Sequence, residues 1–291
     1  MNLSLRLLLF ALSSAVAAMG AEYKIQLQRR ATAGQQFLLS ARFQETHKAA
    51  ISAGGRALPE QRTDFIVEVD SFLKILETDP KGRVLRASCT ISNCVRVEGT
   101  YKRELLPPKT VVMVSSEAGR AKHLVDGKSP DSEVARTLAL TIDFSGSEPS
   151  DDEIFGTNTP KKIGESWDIH TEPMVLLFRR QNLNISAADI QGRTTLEQIS
   201  RIDNVDCLDL AAKVYIKKFR PNVPQGMRVK TTFGAFRFWG KFPLDLALAP
   251  LEENMETSFE HSAQGTVAAN LPPGTLKGSF LVKRTVTRRY F

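Results

Sequence analysis

Leu208-Asp209-Leu210-Ala211-Ala212-Lys213-Val214-Tyr215-Ile216 has an apolar residue at every second position. Successive side chains of a β-strand point to opposite faces, so this spacing predicts a strand with one buried face. It is the most regular alternation in the chain, and it sets the pattern by which the other segments are recognised.

The same spacing recurs along most of the sequence. Turn signals rich in Gly, Pro, Asn and Asp separate the alternating segments, as at residues 79–82 and 220–226. The alternating or β-prone segments include residues 23–27, 37–43, 65–76, 85–91, 111–114, 190–198, 227–239 and 275–290. About a dozen strands predict a mainly β, antiparallel architecture, with two curved sheets forming a sandwich or a large open barrel.

One segment, residues 129–142, has the spacing of a helix. Ser129 can cap it, Pro130 suits its first turn, and Val134, Leu138 and Ile142 fall at helical intervals. We expect this helix to cover an apolar face of the sheet. Residues 146–163 are rich in loop formers, so they predict a connection between a β-rich half, residues 22–145, and a second half, residues 164–291. The two halves are compatible with a single domain.

The first 21 residues have the order of an export signal. Arg6 precedes a short apolar run at residues 7–12, and small residues follow as far as Ala21. This order predicts cleavage near residues 18–21 and a periplasmic or secreted protein, with an uncleaved anchor as the alternative. No later segment is long and apolar enough for a membrane-spanning helix, so the mature chain is expected to be soluble.

Composition constrains the partners. The 291 residues are 42% hydrophobic and 24% charged, with a net charge of +7, values that are ordinary for a globular protein apart from the basic excess. An exported protein rarely meets nucleic acid. Lipid, glycan or another envelope protein are therefore the expected partners, and nucleic acid is not.

The three cysteines leave two possibilities open. Cys89 and Cys94 flank Ser92-Asn93, which suits a turn, so they could form a disulfide across a tight reversal in an oxidising compartment. The alternative is that both, like Cys207, are buried free thiols.

No catalytic motif is present in the sequence, and none for a metal or cofactor. Ser166 lacks the closing glycine of a nucleophile elbow, and its alternative role is to begin a strand. Four scattered histidines form no metal-binding spacing: His47, His123, His170 and His261. Residues 151–153 are acidic but lack the spacing of a calcium loop, and a solvated loop or short helical turn is expected.

The best candidate binding surface combines aromatic and basic residues on the strand predicted at 227–239. Such interleaving suits glycans, anionic polymers or lipid headgroups. The candidate residues are Arg228, Lys230, Phe236, Arg237, Phe238 and Trp239. Since Phe236 and Phe238 share one face while Arg237 and Trp239 share the other, the alternative is a core strand with a charged outer face.

Lys162-Ile163-Gly164-Glu165-Ser166-Trp167 resembles a strand entry in uncharacterised exported bacterial β-rich proteins of a domain-of-unknown-function type. The segments at residues 192–197 and 205–210 are similar to the strand pair that follows it in those proteins. The resemblance implies an envelope or secreted β-protein and carries over no catalytic residue.

The leading functional hypothesis is an exported, non-enzymatic β-protein that binds an apolar or anionic ligand or partner at the cell envelope. A curved sheet with a covering helix could hold an acyl chain or a peptide. The alternatives are a structural or assembly protein that pairs through sheet edges, and a hydrolase whose site is built from distant residues.

Overall fold

A computed structural model describes residues 20–117, 120–144, 149–180, 183–266 and 272–291. The predicted export signal lies outside these residues except for Gly20 and Ala21. Among the described residues, no helix is long and apolar enough to cross a membrane.

The described chain forms thirteen strands in one antiparallel sheet. The strands are β1 (Gln36–Ala53), β2 (Arg56–Ala57), β3 (Gln61–Thr78), β4 (Val84–Glu98), β5 (Tyr101–Glu104), β6 (Val111–Glu117), β7 (Arg120–Val125), β8 (Ser166–Asp168), β9 (Ile190–Ile202), β10 (Val205–Ile216), β11 (Met227–Pro243), β12 (Glu252–Gly265) and β13 (Gly274–Arg289). Their spatial order is β7-β6-β4-β3-β1-β13-β12-β11-β10-β9-β8, with β2 beside β1 and β5 beside β4.

The mainly β, antiparallel prediction is confirmed, but the predicted division into two sheets is not. The last strand, β13, pairs with the first long strand, β1, from Leu38 opposite Arg289 to Ala53 opposite Gly274. This long ladder joins the two halves of the chain into one sheet. The sheet is open, with β7 and β8 at its edges.

Within the described residues, three α-helices accompany the sheet, where the sequence predicted one. They are α1 (Ser132–Thr141), α2 (Asp151–Phe155) and α3 (Thr171–Arg180). The predicted helix corresponds to α1, but its cap is Asp131 rather than Ser129, because the Asp131 carboxylate accepts hydrogen bonds from the backbone N–H groups of Glu133 and Val134. The predicted connecting loop contains α2, which begins with a capping box between Ser150 and Glu153.

All three helices pack on one face of the sheet, and they bury two separate apolar clusters. In the N-terminal core, Val134 and Leu138 of α1 pack with side chains of β1, β3, β4 and β6. In the C-terminal core, Phe155, Met174 and Phe178 of α2 and α3 pack with side chains of β9 to β12. The regularly alternating segment at residues 208–216 of β10 has one buried face as predicted, since its five alternating apolar residues are at most 2% exposed.

Of the two possibilities that the sequence left open for the cysteines, the structure has the buried free thiols and not the Cys89–Cys94 disulfide. Cys89 and Cys94 both lie on β4, opposite Leu73 and Val69 of β3, and both thiols are free and buried, as is that of Cys207. The predicted reversal is absent, because β4 continues through Ser92-Asn93. Five residues of strand span about 16 Å, whereas a disulfide needs Cα atoms within about 7 Å.

Candidate functional site

An apolar cleft of about 710 Å³ opens on the helix-bearing face, between the two cores. Its floor crosses β3, β1, β13 and β12 at the centre of the sheet. The C-terminal end of α1 supplies Leu140, and the segment after β10 supplies Phe219 and Pro221. The principal apolar lining is Phe43, Leu140, Leu183, Phe219, Met255, Phe259, Leu276, Phe280 and Val282.

Strand register brings the floor residues together. Phe280 on β13 lies directly opposite His47 on β1 and Phe259 on β12. Because directly opposed residues point to the same face, all three rings point into the cleft. The rings of His47 and Phe280 have centroids 4.5 Å apart. Phe280 and Met255 also contact both cores, so the cleft lies where the two cores meet.

Two glycines leave room for aromatic rings of this floor. Gly234 is opposite Phe259, and a Cβ atom there would lie 2.8 Å from the ring. Gly278 is opposite His261, whose ring occupies the space that a Cβ atom of Gly278 would need. Because neither glycine has a side chain, each ring can pack directly over the backbone of the neighbouring strand.

A few polar and charged groups lie in the wall of the cleft or next to it. His47 contacts the Glu45 carboxylate at 3.0 Å, and Arg136 of α1 lies 3.6 Å from the same carboxylate. Burial lowers the pKa of His261, which favours the neutral imidazole in the apolar surroundings. A largely apolar cavity with a few polar groups, and within the size range of about 300 to 1,000 Å³, is typical of ligand sites.

A second cavity, the basic pocket, has a volume of about 770 Å³ and shares Leu183 and Phe219 with the apolar cleft. Five cations line it, from the end of α3, the segment after β10, and β11. They are Arg179, Lys217, Lys218, Arg220 and Lys230. Asp189 is the one carboxylate among the described residues of this lining.

The structure separates the binding residues that the sequence placed together on β11. Phe236 and Phe238 are buried in the C-terminal core, where the Phe155 ring stacks on Phe238 at 4.8 Å. Arg237 and Trp239 are exposed on the opposite face of the sheet. This is the arrangement of a core strand with a charged outer face.

The remaining two predicted binding residues also lie in different surroundings. Arg228 is exposed opposite Gln264, whereas Lys230 lies at a local irregularity of β11 and lines the basic pocket. The cleft residues of β12 and β13 were missed. Their apolar positions are irregular, and their face is defined only by pairing with β1.

The histidines do not assemble with Ser166. His47 and His261 both line the apolar cleft. His123 is buried and contacts the Ile142 carbonyl oxygen at 2.8 Å, and His170 contacts the Glu153 carbonyl oxygen at 2.9 Å. Ser166 lies on the edge strand β8, where its hydroxyl is 2.8 Å from that of Thr195. Within the described part of the chain, no group of three or more His, Cys, Asp or Glu side chains could hold a metal ion.

An ionic cluster occupies a third cavity on the helix-bearing face, where α2 meets β12 and β13. Asp151 begins α2, and burial raises its pKa to about 7, with the negative charge of Glu253 adding to the effect and Arg284 and Arg288 opposing it. The Arg288 guanidinium contacts the Glu253 carboxylate. The acidic run at residues 151–153 is therefore a short helical turn whose first carboxyl is packed among charges.

No family model matches the chain, and no curated protein matches it. A lipovitellin structure on lipid–protein interactions is 9% identical with a TM-score of 0.31; the match covers 91% of this chain but only 25% of lipovitellin. The outer membrane protein AlkL, solved in DMPC bilayers, is 10% identical over 94% of this chain and 98% of its own, with a TM-score of 0.23.

A DUF1329 family protein from Desulfovibrio piger is 13% identical over 86% of this chain and 85% of its own. Its TM-score is 0.13. The DUF1329 family is itself a domain-of-unknown-function family. All three TM-scores are below 0.5, a range in which a likeness carries no functional information.

Proposed function

We propose that this protein binds an apolar ligand of acyl-chain type in the apolar cleft. The observation that carries the proposal is the cleft itself, about 710 Å³ between two filled cores and lined mainly by apolar side chains. Exposing such a lining to water is unfavourable. A ligand that covers the lining stabilises the complex by about 25 cal/mol for each Å² of apolar surface buried.

The sheet edges favour this function over assembly through strand pairing. The two edge strands are short, with three residues in β8 and six in β7. Short edge strands are one of the ways in which proteins avoid pairing with another chain. The apolar cleft instead offers a partner a lining of mainly apolar side chains.

The direct test is binding of the neutral fluorophore N-phenyl-1-naphthylamine, whose emission increases in apolar surroundings. Ala49 lines the cleft on β1, and Ala50 lies next to it on the opposite face. We expect Ala49→Phe to weaken binding about tenfold or more, because the added ring fills the cavity, and Ala50→Phe to leave binding unchanged.

Urea unfolding of both variants provides the control for stability. Equal loss of binding in both variants, or no saturable binding by the wild-type protein, would contradict the proposal.

We also propose that the protein acts outside the cytoplasm, in the envelope or secreted. The support is the order of charge, apolar run and small residues over residues 1–21. N-terminal sequencing of the protein recovered from its host should find a start near residues 19–22. A protein that retains Met1 would contradict cleavage.

A further inference from the structure

The basic pocket contains cations that lack partners in the described part of the chain. Its five cationic side chains make no ion pair or hydrogen bond with any described residue. Other cations of the protein have a partner, as Lys241 has in Asp209 at 3.2 Å. Five positive charges facing one cavity repel one another, and the single carboxylate of Asp189 does not compensate them. The pocket therefore favours an anion.

The position of the pocket relates it to the apolar cleft. Phe219, which is 7% exposed, contributes to the walls of both cavities, and Leu183 does the same. Lys218 and Arg220 flank Phe219 in the sequence, and both line the basic pocket. Since alternate residues of an extended segment point to opposite sides, Phe219 reaches the apolar side while its neighbours present charge on the other.

We propose that the two cavities bind one amphiphile, with its single apolar chain in the apolar cleft and an anionic headgroup, such as a phosphate, in the basic pocket. This inference rests on the proposed function and specifies its ligand class. The apolar chain supplies affinity through burial. The headgroup fixes which end of the ligand enters, because five cations face the basic pocket, whereas Lys48 is the one Lys or Arg in the described lining of the apolar cleft.

The test compares two competitors that differ only in the headgroup, decan-1-ol and decyl phosphate, used below the concentration at which micelles form. Each displaces N-phenyl-1-naphthylamine from the wild-type protein. We expect decyl phosphate to bind about tenfold more tightly than decanol, and the preference to shrink at high salt because exposed charges are screened.

Charge reversal locates the headgroup. The double variant Lys217→Glu/Arg220→Glu should lose the preference for decyl phosphate while decanol binding stays unchanged. The matched control is Lys213→Glu. Lys213 lies on β10, shortly before Lys217, and is exposed on the opposite face of the sheet, so this variant should keep the preference for decyl phosphate. If the double reversal does not fold, Lys217→Gln/Arg220→Gln removes the same two charges without adding new ones.

The outcomes separate the inference from the proposed function. If decanol displaces the probe but decyl phosphate binds no more tightly, the anionic headgroup is wrong and the apolar cleft stands. If neither competitor displaces a bound probe, or the probe does not bind, the apolar cleft itself fails. A third arm adds inorganic phosphate at the same concentration as decyl phosphate. If this phosphate lowers the affinity for decyl phosphate to that for decanol, the pocket binds a free anion rather than an amphiphile.

Discussion

Phe219 and Phe259 pack against each other at a steep angle, with ring centroids 4.9 Å apart and ring planes inclined by 64°. Phe219 comes from the segment after β10, and Phe259 is on the cleft floor. Phe178 of α3 meets Phe259 at 5.9 Å, so this ring joins the C-terminal core to the cleft. The contact builds the wall of the apolar cleft from a side chain of the C-terminal core.

The first prediction concerns this wall. Phe219→Ala should lower the free energy of unfolding by about 3 kcal/mol, because a buried ring is lost and a cavity is left. Tyr215→Ala is the control, since Tyr215 is 53% exposed on β10 and should change stability by less than about 0.5 kcal/mol. Urea unfolding measures both. A similar, small effect for the two variants would show that Phe219 is not packed as described.

The second prediction concerns Gly234. A Cβ atom there would lie 2.8 Å from the Phe259 ring and 3.1 Å from the Ile216 Cβ atom, so Gly234→Ala should destabilise by about 1 to 3 kcal/mol through overpacking. Combining it with Phe259→Leu removes the obstructing ring. The double variant should therefore lose less stability than the sum of the single losses. Simple additivity in the double-mutant cycle would mean that the ring does not lie over the glycine.

The third prediction concerns pH and Asp151. The pKa of Asp151 is raised from about 3.8 in the unfolded chain to about 7 in the fold, so the folded state binds the extra proton between these values. The stability supplied by this proton is full below about pH 4 and is lost as the pH rises through about 7. Asp151→Asn should remove that loss and stabilise the protein at pH 8 by about 2 to 4 kcal/mol at most, with no gain at pH 4.

The neighbouring residue provides the contrast. The Asp152 carboxylate accepts hydrogen bonds from the backbone N–H groups of Leu27 and Gln28, at 2.5 and 2.9 Å. Asp152→Ala should therefore destabilise at pH 8 by about 1 to 3 kcal/mol, the opposite sign to Asp151→Asn. Denaturant unfolding at both pH values would reveal the difference, and the same sign for both would refute the assignment.

The fourth prediction concerns the thiols. Burial raises the pKa to about 12 for Cys89 and to about 11 for Cys94 and Cys207. Since the thiolate is the reactive form, iodoacetamide should leave all three unmodified in the native protein at pH 8 and modify all three in urea without a reductant. Intact mass spectrometry counts the additions. One addition instead of three in urea would indicate a disulfide between two of them.

The sequence predicted much of the fold because alternation is a local property. Leu208 and Val214 of β10 point into the C-terminal core, as their spacing predicted, and α1 forms where the helical spacing predicted it. Its cap moved to Asp131 because two suitable capping residues lie close together in the sequence. A short helical turn was one of the two expectations at residues 151–153, where α2 forms. The helix α3 was missed, since packing against the C-terminal core stabilises it more than its own propensity does.

The candidate site was less predictable. The aromatic and basic cluster on β11 was conspicuous in the sequence, yet Phe236 and Phe238 proved to be core residues. Gly234 and Gly278 gave no signal by themselves, because the ring that each accommodates belongs to another strand. The cleft is formed by residues far apart in the sequence, such as His47 and Phe280.

By itself, the sequence determined most of the long strands and which of their side chains share a face, because both follow from a two-residue period within a single segment. The prediction at residues 23–27 was wrong, since this segment forms only an isolated bridge at Tyr23. Only the tertiary structure decided that β13 returns to pair with β1, making one sheet instead of two. That pairing depends on the combined burial of both cores and the hydrogen bonds of a long ladder. It also places the unfilled space between the cores, where the apolar cleft lies beside the basic pocket.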